Sequence, residues 1–193
     1  MRERLADWTA WRRDIHKHPE LGFGEKRTAD VVARKLEAFG LETHTGIGKT
    51  GVVGVLKRGN SERSVGLRAD IDALPIQEMN EFEHRSVHDS QFHGCGHDGH
   101  TTMLLAAAET LASGGKFDGT VHFIFQPNEE NGLGALAMME DGLFDRFPMD
   151  AGYGMHNRPG VPAGHFAGRR GSMRTGEGHC VSRIAGVGGR ASR

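Results

Sequence analysis

Between residues 51 and 156 the apolar residues of this chain change period several times, and that alternation is the strongest constraint on its fold. A strand returns to the same face every second residue and a helix about every 3.6, so no single apolar pattern serves both. The β-branched runs GVVGVLK (51–57), SVGLRADI (64–71) and TVHFIFQ (120–126), with the segment 151–156, read as strands. Residues 99–112 and 133–141 read as helices between them. Upstream, residues 2–17 place Leu5, Trp8, Trp11 and Ile15 on one stripe, and residues 25–39 do the same with Ala29, Val32, Leu36 and Phe39. Gly40 stands where a left-handed helix cap is expected. Strands alternating with helices predict an α/β fold, a three-layer α/β/α arrangement around a mixed sheet. The antiparallel part is expected from a hairpin joining 51–57 to 64–71 across the turn-forming RGNSE.

Charge narrows the partners. Across 193 residues the formal net charge is −1, with Lys and Arg interspersed among Asp and Glu, so neither nucleic acid nor a membrane surface has an electrostatic claim on this chain. A small or neutral partner is expected. No apolar stretch approaches the roughly 18 residues of a spanning helix, and the first residues, MRERLADWTAWRRDIHKHPEL, contain no uninterrupted apolar core of a signal peptide. Cys95 and Cys180 are too few for a disulfide framework and too distant for a CxxC pair. The expected location is the cytoplasm.

Open α/β sheets bind ligands at the carboxyl ends of their strands. Four polar groups fall at or near such ends: Asp70 and Asp72; Cys95 and His97; Glu129 and Glu130; and His156. Thiolate, imidazole and carboxylate are ligands of zinc and its neighbours, and a catalytic centre leaves a coordination position open. Cys95, His97, Glu130 and His156 supply four donors. In an acidic doublet one carboxylate can bind metal while the other, here Glu129, accepts a proton from water.

Each residue alone also has a plainer reading. Taken alone, His97 is more often a loop or core histidine than a ligand, Glu129 and Glu130 read also as acids at the positive end of a helix, and Asp70 and Asp72 as caps of a turn before Pro75. His16, His18, His84, His88 and His93 read as solvated or structural. Three ligand-type clusters at three strand ends favour the metal reading. One decoy drops out: TGIGKTG (45–51) contains Gly48-Lys49-Thr50, but a phosphate loop needs a glycine where Thr43 stands and a helix where a strand follows.

Six segments in order, RRDIHKHPELGF (12–23), LRADIDALPI (67–76), GCGHDGHTTMLL (94–105), FQPNEE (125–130), MEDGLFD (139–145) and GMHNRPG (154–160), resemble the metal-dependent amidohydrolases of the aminoacylase and carboxypeptidase G superfamily, in the hippurate hydrolase and auxin-conjugate amidohydrolase branch. The resemblance implies a two-metal centre of manganese, zinc or nickel, with Cys95, His97, Glu130 and His156 as ligands, Glu129 as general base and Asp72 orienting a ligand. The implied reaction is hydrolysis of an N-acyl amino acid by a metal-activated water.

Members of that family are longer, with a lid and dimerisation domain inserted in the catalytic one. By resemblance, residues 1–172 match the first part of the catalytic domain and 173–193 the opening of the lid, with Arg190 where the family carries a histidine. The last histidine ligand has no counterpart. The expectation is therefore a partial catalytic domain with little activity alone, apolar faces open to association into homo-oligomers, and as the alternative a metal-binding remnant or interaction module.

Overall fold

A computed structural model of the protein describes residues 2–168. The expected boundary at 172/173, Cys180 and Arg190 lie outside the described residues. After a 3-10 turn at Arg2–Arg4 come α1 (Leu5–Lys17) and α2 (Lys26–Ala38), then β1 (Glu42–Ile47), β2 (Gly51–Arg58) and β3 (Ser64–Asp70). α3 (His97–Gly114), β4 (Gly119–Gln126), α4 (Gly134–Glu140), α5 (Leu143–Arg146) and β5 (Ala151–Gly154) complete the order.

Both opening helices form where the apolar stripes predict. On α1 the stripe buries progressively: Ile15 is fully buried and Trp11 packs on the core, but Leu5 stays 61% exposed. On α2, Val32 and Leu36 are fully buried. Gly40 ends this helix with φ at +82°, and the Leu41 N–H reaches back to Leu36 O at 3.0 Å, a left-handed cap that satisfies an otherwise orphan carbonyl.

The sheet order is β1-β2-β4-β3-β5. β1 pairs antiparallel with β2, β2 antiparallel with β4, and β3 lies parallel to both β4 and β5. This corrects the hairpin expected between 51–57 and 64–71: β4 separates those strands. The reason is burial. β4 reads GTVHFIFQ, with Val121, Phe123 and Phe125 packed on one face and Ile124 on the other, so it can only be interior. The 59–63 turn is tied to the start of β4 instead of folding back: Asp118 Oδ1 accepts the N–H of Asn60 and Ser61, each at 2.8 Å. The actual hairpin joins β1 and β2 through the Gly48-Lys49-Thr50 turn, and neither β1 nor α5 is anticipated by the sequence pattern.

Period-two alternation then builds two cores. Val52, Phe123, Phe125, Ala69 and Ile71 meet Val32 and Leu36 of α2 and Leu104 and Leu105 of α3. Val53, Ile124 and Ile47 meet Met138 of α4, Leu143 of α5 and Phe147 beyond it. Helices on both faces of a mixed sheet make the expected three layers. Met1–Asn157 form one compact unit. From Arg158 a separate unit begins, whose described part contains turns closed by Val161 N to Arg158 O and His165 N to Pro162 O.

Candidate metal centre

Because β3, β4 and β5 run parallel, their carboxyl ends meet at one edge of the sheet. Asp70 closes β3, Asp72 lies two residues on, Glu129 and Glu130 follow β4 and His156 follows β5. The fourth element arrives as the start of a helix. Gly96 sits in the left-handed region at φ +85°, and a Cβ there would press on the Asn157 amide at 2.8 to 3.0 Å, so glycine is required twice over. His97 then opens α3.

Five expected residues gather here. Cys95, His97 and His156 bring three donor atoms within 4.8 Å of one another, and so do His97, Glu129 and Glu130. Cys95 Sγ lies 3.4 Å from His156 Nε2. His97, fully buried, is the shared member. Its Nδ1–H donates to Asp72 O at 3.0 Å and Oδ1 at 3.1 Å, which leaves the Nε2 lone pair pointing at acids: Asp70 Oδ2 at 3.6 Å, Glu130 Oε1 at 3.7 Å and Glu129 Oε2 at 3.9 Å. Among the described residues neither His97 Nε2 nor Glu130 Oε1 finds a hydrogen-bond partner, although both atoms are buried. The other carboxylate oxygen of Asp72 accepts the Glu130 N–H at 3.0 Å.

Electrostatics fit a cation. Burial and the charge of Glu130 push the Cys95 thiol up to about 11. Burial, reinforced by the charges of Asp72 and Glu129, raises Glu130. Burial alone would lower His97, yet the hydrogen bond to Asp72 and the charge of Asp70 raise it. These shifts share one cause, several acidic groups crowded around His97, and a divalent ion there would offset their mutual repulsion. Thiolate, imidazole and carboxylate donors with buried, unpartnered lone pairs suit such an ion.

Two further groups lie beside the expected ligand set, and in the first of them only His100 was not among the expected residues. Asp70, His97 and His100 form a third cluster of donor atoms within 4.8 Å, all buried. His100, however, is fully engaged: its Nδ1–H donates to Asp70 Oδ1 at 2.6 Å and its Nε2 accepts the Asn157 N–H at 3.0 Å, with the Asn157 side chain also in contact. It links the end of β3 to the loop after β5. The available signal was the HDGH spacing, which puts His97 and His100 on one helix face. Behind the site, His16 bridges Asp98 (Nδ1 to Oδ2, 2.9 Å) and Glu78 (Nε2 to Oε1, 3.1 Å), while Arg12 Nε reaches Asp98 at 3.0 Å. His16 and His93 are buried and His88 is exposed. The doublet Glu129-Glu130 lies in the turn before α4, outside its first helical turn, so the helix-opening reading of these acids does not hold.

Residues 66–173 match the peptidase family M20/M25/M40. The chain is 49% identical over 181 residues to a hippurate hydrolase of Campylobacter jejuni, an alignment covering 94% of this chain and 47% of that protein. Over 193 residues it is 41% identical to the IAA-amino acid hydrolase ILR1-like 5 of Arabidopsis thaliana, covering 99% of this chain and 44% of that one. Its fold matches the crystal structure of Bacillus subtilis YXEP, described as a dinuclear metal binding peptidase, with TM-score 0.79 and 38% identity over 84% of this chain and 46% of that one. The chain thus spans about half the length of the relatives it matches.

Proposed function

The chain belongs to peptidase family M20/M25/M40, and from that premise we propose that it supplies the ligand-bearing part of a metal-dependent amidohydrolase. The proposed reaction is hydrolysis of N-acyl amino acids, hippurate-like substrates among them, to a carboxylic acid and a free amino acid. One observation carries the reading: the buried, unpartnered Nε2 of His97 faces three carboxylates from two strand ends at 3.6 to 3.9 Å.

In this reading Cys95, His97, Glu130 and His156 hold two divalent ions, for which zinc, manganese and nickel all suit the mixed sulfur, nitrogen and oxygen donors. When bound, such ions polarise the amide carbonyl and lower the pKa of water. Asp72 keeps the proton of His97 on Nδ1 and so keeps Nε2 available for coordination. Glu129, half-buried at the rim, takes a proton at Oε2 from the attacking water and returns it to the departing amide nitrogen, so that water and amide become acid and amine. The setting is cytoplasmic and the partner a small molecule, with homo-oligomers allowed. Among the described residues no helix is long and apolar enough to cross a membrane.

A second reading, a metal-binding module without turnover, draws on one fact: all four residues of β5, the strand leading to His156, are exposed. One experiment separates the two. The purified chain, supplied with manganese or zinc, is offered hippurate and N-acetyl amino acids while amine release and metal content are measured. Amine release that Glu129→Gln abolishes without loss of metal supports the hydrolase. Metal uptake with no release supports the module, and no uptake overturns both.

A further inference from the structure

The first of the six motifs has no member in the ligand set, yet the segment containing it touches the start of α3 beside His97, the chain just after Asp72 and the turn leading to Glu129 and Glu130. His16 and Arg12 hold Asp98, next to His97. Leu21 bridges Ala73, just after Asp72. Gly22 packs so closely on the Asn128 side chain that no Cβ fits between them.

Two residues beyond the motif comes Glu25, fully buried at the N-terminus of α2. Its carboxylate does not cap its own helix; Glu20 does that, accepting the N–H of Arg27 at 2.9 Å and Thr28 at 2.8 Å. Glu25 reaches across the fold instead. Its Oε2 accepts the Thr50 hydroxyl at 2.6 Å, and its Oε1 accepts the Asn128 N–H at 2.8 Å.

Asn128 is itself unusual. Its φ of +46° lies in the left-handed region, which strains a non-glycine residue and persists where surrounding contacts enforce it. Those contacts are the Glu25 carboxylate on its N–H and the Gly134 N–H on its carbonyl, the latter at 3.0 Å. Two residues later the Glu130 N–H donates to Asp72. The peptide of Glu129 therefore hangs between two buried carboxylates, one from residue 25 and one from residue 72.

We propose that Glu25 is a positioning residue for the acidic doublet: by gripping the Asn128 N–H it sets the direction in which Glu129 and Glu130 leave β4. The inference rests on the reading of that doublet given above. A buried carboxylate is expensive to keep unless it is fully hydrogen-bonded, and here its acceptors serve the turn in place of its own helix. Gln has the same shape and accepts the same N–H, so Glu25→Gln should do the same work.

The test compares the full chain with Glu25→Ala and Glu25→Gln by amide hydrogen exchange without metal and by zinc titration. Glu25→Ala should speed exchange at residues 128 to 130 by about tenfold, the scale of one charge-assisted hydrogen bond, with residues 121 to 125 unchanged. It should weaken zinc binding about tenfold to a hundredfold, as loss of a ligand-orienting contact does, and Glu25→Gln should restore both. Unchanged exchange at 128 to 130, a uniform rise that includes β4, or a Gln variant as damaged as the Ala variant would overturn the proposal. If the parent chain takes up no zinc, the metal reading fails and the exchange result alone decides the role of Glu25. If Glu25→Ala does not fold, Thr50→Ala, which frees only the other carboxylate oxygen, should give the same local pattern at smaller size, and an unchanged pattern there overturns the proposal.

Discussion

Asp72 holds His97 by two acceptors at once: its carbonyl lies 3.0 Å and its Oδ1 3.1 Å from the same imidazole nitrogen, Nδ1. A ring pinned at one nitrogen presents the other in a fixed direction. Replacing Asp72 by Ala should weaken divalent-metal binding about tenfold to a hundredfold, because Oδ2 simultaneously releases the Glu130 N–H. Calorimetric titration of the chain with manganese or zinc measures this, and an unchanged affinity would show that the backbone carbonyl alone suffices.

The turn bearing the acidic doublet should tolerate no side chain at Gly134. A Cβ there would collide with the carbonyl of Pro127 and approach the Asn128 carbonyl carbon. Gly134→Ala is expected to destabilise the chain by about 1–3 kcal/mol in urea denaturation and to loosen metal binding, since the peptides displaced lead directly into Glu129.

Stability should carry a pH signature from behind the site. Burial lowers the affinity of His16 for its proton, but hydrogen bonds to Asp98 and Glu78 overcome that and raise its pKa above the usual 6.5. A raised histidine pKa contributes stability that is complete below the unfolded value and fades as pH rises through the folded one. The difference in unfolding free energy between the parent chain and His16→Asn should therefore be larger at pH 6 than at pH 9. Asp98 gives the opposite slope: against the cost of burial, the hydrogen bond to His16 and nearby positive charge pull it down to about 2. Its contribution is present above about 3.8 and is lost as pH falls toward 2. Denaturation of the metal-free chain at several pH values checks both signs.

The thiol should decide which ions bind. Among the described residues Cys95 is the one sulfur donor in the cluster, and soft thiolate favours zinc over manganese, which prefers oxygen. Cys95→Ser should lose affinity for zinc by a larger factor than for manganese, as competition between the two ions would reveal. Equal losses would mean that the sulfur does not set the preference, and no loss for either ion that it stands outside the coordination shell.

Local pattern determined much of this protein. Val32 and Leu36 on one helical stripe, Gly40 at a cap, the β-branched run before Gln126 and donor-type residues just past strand ends all follow from periods and chemistry confined to a few neighbouring residues. Tertiary structure decided the neighbours. β2 and β3 look like a hairpin in sequence, but β4 is apolar on both faces and gains more by lying between them, parallel to β3, which β5 joins in parallel on its other side. Only then do Asp72, Glu130 and His156 arrive at one edge. The roles of Glu25 and His100 were settled only by folding, for the same reason: a carboxylate's choice between its own helix and an N–H 103 residues away, or an imidazole's between a metal and the Asn157 backbone, depends on which groups folding leaves buried without a partner.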